Sequence, residues 1–68
     1  MKKADHLSNS QLAAVIDEWI RGERNRKIMK RRMIDDIKYQ DLAEEFDLSI
    51  QQTKAIVQQG FDRLIPHL

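Results

Sequence analysis

The stretch from Tyr39 to Ile56 constrains this chain more than any other, because it holds two helical patterns separated by a turn too short to lead anywhere else. Leu42 and Phe46 stand one helical turn apart, so a short helix there has one apolar face, and Ala43 beside them is small enough for a second helix to cross closely. Asp47-Leu48-Ser49 then supplies a turn: Asp tolerates left-handed backbone, Leu48 points to the core, and the Ser49 hydroxyl can cap the free N–H groups of a helix beginning at Ile50. On that second helix Thr53, Ile56, Gly60, Phe61 and Leu64 recur at inward spacing. Gln51, Gln52, Ala55, Gln58 and Gln59 share the opposite face, at about 100° per residue.

The 68 residues allow one domain, and a chain this short buries only about 60% of the surface its unfolded form exposes, so its stability margin is thin. No segment alternates in the manner of a strand, and the expected fold is all-α: a small four-helix domain over residues 8–68 with a C-terminal helix-turn-helix, preceded by a flexible tail over residues 1–7. Ser8 and Gln11 have the spacing of a capping box, with Leu7 placed to staple onto Leu12. Leu12, Val15, Ile16, Trp19 and Ile20 then repeat helically until Gly22, expected to close the helix in a left-handed C-terminal cap. A second helix is expected from Glu23 to Ile34 with Ile28, Met29 and Met33 inward, and Pro66 ends the last helix. Trp19, Tyr39, Phe46 and Phe61 all fall on inward stripes, which makes them core residues and disfavours base stacking of the kind that reads RNA.

From Asp35 to Ser49 the chain resembles the fourth-region helix-turn-helix of bacterial sigma factors, whose pattern runs Gly-hydrophobic-Ser-Tyr-Glu-Glu-Ile-Ala-Glu-x-hydrophobic-Gly-hydrophobic-Ser. The likeness extends over about Arg24 to Leu64, and it is also similar to small sigma-like regulators of phages and prophages of Gram-positive bacteria. Asp36 and Asp47 stand where the pattern has glycines, Lys38 where it has a capping Ser or Thr, Thr53 where it has a core Val, and Ile50 where Arg is frequent. The resemblance implies a cytoplasmic, sequence-specific regulator of transcription on double-stranded DNA, with RNA polymerase or a second copy of the chain as further partners. In that docking geometry the first turn of the second helix meets base edges, which nominates Gln51, Gln52, Lys54, Ala55 and Gln58. The preceding helix lies across the backbone, which nominates Tyr39 and Gln40 for phosphate.

Charge is uneven in a way that the net +1 conceals: residues 1–20 sum to −1, residues 21–32 to +6 and residues 33–68 to −4. The basic segment adds Arg24, Arg26, Lys27, Lys30 and Arg31 as candidate phosphate contacts. Against this stands the ordinary fate of surface Lys and Arg, a solvated face, with Asp35, Asp36, Glu44 and Glu45 within sequence reach to pair with them. Ile50 and Val57, two turns apart, lie at the edge of the core-facing stripe; they cover another helix, either of this chain or of a protein partner. A protein-interaction module is therefore the rival to DNA recognition.

Catalysis has little to stand on. His6 lies in the tail and His67 follows Pro66, neither with neighbours to orient a general base. No residues have metal-ligand spacing, no glycine-rich phosphate loop occurs, and cysteine is absent. No enzyme, metal, cofactor or small-molecule substrate is expected. Met1-Lys-Lys opens like a signal peptide but lacks the apolar region that would follow, and no apolar run reaches membrane-spanning length, so no membrane is expected among the partners.

Overall fold

Why the chain folds where it does is clearest at its two serine caps. In the computed structural model, which describes residues 7–68, α1 spans Asn9–Trp19 and α4 spans Ile50–Leu64. At the head of α1 the Gln11 N–H donates to Ser8 Oγ at 3.1 Å and the Ser8 N–H to Gln11 Oε1 at 2.9 Å. Ser49 and Gln52 repeat the arrangement at α4, at 3.0 and 2.9 Å. Each box satisfies two backbone donors that a helix start would otherwise leave open. Between them lie α2 (Glu23–Met33) and α3 (Tyr39–Phe46), and a 3₁₀ turn over Ile65–His67, with Pro66 inside it, follows α4. The described residues form an all-α domain, and among them no helix is long and apolar enough to cross a membrane. The expected tail, including His6, lies outside the described residues except for Leu7, which lines an apolar groove together with Leu12.

The turn between α3 and α4 is set by Asp47, whose φ of 56° and ψ of 48° are left-handed. Leu48 N–H donates to Ala43 O at 2.8 Å and Asp47 N–H to Glu44 O at 3.3 Å, the paired bonds of a Schellman closure. Asp36 also adopts a positive φ of 56°. Both aspartates thus occupy backbone normally left to glycine, at positions where the resembling pattern has glycine.

The core is Ile16, Ile20, Ile28, Met29, Leu42, Val57 and Leu64, all at 5% exposure or less. Leu12, Val15, Met33, Tyr39, Phe46, Ile56 and Phe61 pack partly buried against it. Thr53 is fully buried in the place of an aliphatic residue, and its hydroxyl donates to Ser49 O at 2.9 Å, so no unpaired polar atom is carried inside. Gly60 allows α4 to approach α2: a Cβ there would lie 2.8 Å from Met29 Cε, inside contact distance.

Three expectations are corrected. Trp19 is not core; it is 40% exposed and stacks on His67, ring centroids 3.7 Å apart and planes at 6°. Helical periodicity points its side chain toward the bundle, but Trp19 is the last residue of α1, where His67 of the C-terminal 3₁₀ turn covers one face of its ring. Gly22 does not close α1. Ile20 ends it in extended backbone, φ −101° and ψ 123°, which buries its own side chain, and Gly22 instead caps the start of α2 at φ 88°. Finally, α2 ends at Met33, one residue short of the expected Ile34. Gly22 has open space around it, so its role is purely conformational. Gly22→Ala is expected to destabilise the domain by about 1–2 kcal/mol through backbone strain alone, read as a lower urea midpoint at unchanged slope.

Candidate nucleic-acid interface

The outward face of α4 begins immediately after the Ser49 cap. Gln51, Gln52, Lys54, Ala55, Gln58 and Gln59 are all exposed, while Thr53, Val57, Gly60 and Leu64 hold the inward side. The structure therefore brings the five nominated base readers onto accessible surface at one end of one helix. They are not equivalent. Gln52 Oε1 is engaged by the Ser49 N–H, which leaves only its amide N–H groups to offer, whereas Gln51 makes no hydrogen bond to another described residue. Ser49→Ala is expected to cost about 1 kcal/mol of stability by leaving the Gln52 backbone N–H without its Oγ acceptor, while the Gln52 side chain keeps its bond to the backbone N–H of residue 49, a loss that urea unfolding will read.

Beside this face lies a basic corner. Tyr39, half-buried at the first position of α3, has Arg32 Cζ 4.7 Å and Lys54 Nζ 5.8 Å from its ring centroid. Arg32 is held there by its bond to Ile37 O at 3.1 Å and its ion pair with Asp36 at 3.4 Å. Lys38 caps α3 without a side-chain bond, so the first amides of that helix face solvent with partial positive charge. Gln40, also nominated for phosphate, is exposed on the same first turn. Arg32 was not among the candidates: its place beside Tyr39 depends on how α2 crosses α3, and only its spacing four residues before Asp36 hinted that it would be held.

The basic segment of α2 fares differently. Lys30 Nζ pairs with Asp17 at 2.7 Å, and Arg31 grips Glu45 Oε1 through Nε at 3.1 Å and a terminal nitrogen at 2.8 Å, with Asp35 at 3.4 Å. The Glu45 carboxylate, first by hydrogen bonding and then by charge, raises the Arg31 pKa above its ordinary value. Arg26 donates to Ile20 O at 2.8 Å and thereby closes the α1–α2 connection, and Arg24 bonds the neighbouring Asn25 at 3.3 Å. Of the five α2 candidates only Lys27 makes no side-chain bond or ion pair to another described residue. Exposed pairs of this kind stabilise little and can be exchanged for a phosphate, but the carboxylates remain close by.

Val57 and Ile50 separate as well. Val57 is fully buried in this chain's own core; Ile50 is 45% exposed beside the α4 cap. Compared with protein-family models, with curated proteins and with solved structures, the chain matches none.

Proposed function

We propose that this chain is a sequence-specific double-stranded DNA-binding regulator of transcription that uses α3, the Asp47–Ser49 turn and α4 as a helix-turn-helix of the sigma region-four type. The observation that carries the reading is the exposed face of Gln51, Lys54, Ala55 and Gln58, which starts two residues beyond the Ser49 cap and adjoins the Arg32–Tyr39–Lys54 corner. A helix presented in this way fits the major groove, where a glutamine can take adenine N6 and N7 bidentately. The corner would then neutralise phosphate at the groove edge. The phage or prophage type of regulator and a cytoplasmic setting belong to the same proposal.

The second reading is a protein-interaction module that binds RNA polymerase or a second copy of this chain. Exposed Ile50 favours it, as does the acidic outer side of α3, where Asp41, Glu44 and Glu45 are all exposed. Salt separates the two. Duplex affinity of the wild type should fall steeply between 50 and 200 mM salt, and Lys38→Gln with Lys54→Gln should flatten that slope by up to about 0.9 per lost contact. Salt-indifferent capture of RNA polymerase, with no duplex binding at low salt, would move the assignment to the second reading.

A further inference from the structure

A cavity of about 150 Å³ opens between the end of α1, the start of α2 and the outer half of α4. Four polar side chains line it, Arg21, Asn25, Gln59 and Arg63, over an apolar floor of Ile20 and Ile56. No carboxylate is among its lining residues, and neither arginine makes an ion pair among the described residues. Lys30, Arg31 and Arg32, by contrast, all have carboxylate partners. Two guanidiniums and two amides present donors in excess, and guanidinium forks match the paired oxygens of a phosphate. The apolar floor excludes water from one side and so strengthens the attraction.

We infer that this cavity seats one phosphate group. On the DNA reading above, on which the choice of source rests, the group is a backbone phosphodiester. Gln52, Gln59 and Arg63 follow one another at seven- and four-residue intervals along one flank of α4, while Lys54 belongs to the opposite flank beside Tyr39. Phosphates border a helix lying in the major groove on both sides. Arg63 lies nine residues beyond Lys54, about 14 Å along the helix and on the opposite flank, so the two basic points sit diagonally across the reading face. The corner takes one strand at the base-reading end and the cavity takes the other strand at the distal end.

The test is the double variant R21Q/R63Q. Both side chains are exposed, so the fold should hold by circular dichroism. On random-sequence duplex the salt slope should fall by about 0.9, for the one phosphate no longer neutralised, which means that between 50 and 200 mM salt the wild type loses about three- to fourfold more affinity than the variant. R21K/R63K should restore the slope. Inorganic phosphate, titrated at low salt while the Arg21 and Arg63 Nε–H resonances are followed, gives the second arm. If the wild type binds no duplex but phosphate shifts both resonances, the cavity stands as a site for free phosphate and the DNA reading falls. Duplex binding with an unchanged slope in R21Q/R63Q, together with resonances that phosphate does not move, overturns the site.

Discussion

Leu42→Ala is expected to leave the domain largely unfolded at room temperature. Leu42 is fully buried where α3 meets the core, and emptying such a site costs about 2–5 kcal/mol, the transfer free energy plus the cavity left behind. At 0.05–0.15 kcal/mol per residue, a chain of this length holds only about 3–10 kcal/mol in total. The comparison that gives the prediction its force is Trp19→Ala. By residue type Trp19 would be the larger loss, but with 40% of it exposed and one ring face covered by His67 the expected cost is about 1–2 kcal/mol, mostly stacking and partial burial. Urea unfolding followed by circular dichroism ranks the two. Equal losses would mean that the open end of α1 is in fact closed.

Gln51→Ala should leave stability unchanged within about 0.5 kcal/mol, since the side chain is exposed and unbonded, and should reduce discrimination at one base pair by about 1–3 kcal/mol. Gln52→Ala is expected to behave differently: it removes half of the α4 capping box, so stability falls as well. Competition binding against duplexes varied one position at a time, run beside unfolding curves, separates a reader from a cap. A Gln51 variant that loses nonspecific affinity and specificity together would place Gln51 on the backbone and off the bases.

Local features were legible in the residues because their causes are local. Both capping boxes and the left-handed turn at Asp47 involve partners within five residues, and side-chain spacing states them completely. What spacing cannot state is which element stands opposite. Ile56 and Val57 are adjacent, yet Val57 is the fully buried one and Ile56 the half-buried edge, because α4 meets α2 and α3 on the Val57 side. Trp19 has the direction of a core residue without an element to cover it. The cations of α2 look like a phosphate-binding row until tertiary structure brings Asp17 and Glu45 to Lys30 and Arg31 from α1 and α3, each more than ten residues away in sequence. The Arg32–Tyr39–Lys54 corner draws on three helices and has no sequence signature of its own.

The central claim, that the first turns of α4 read base sequence in duplex DNA, is tested most directly by selecting bound sites from a random duplex pool with the wild type and Gln51→Ala side by side. The account predicts a short enriched motif for the wild type, containing adenine where Gln51 makes its bidentate contact, and loss of that one position in the variant with the rest of the motif retained. No enrichment by the wild type, or an identical motif from both proteins, would contradict it.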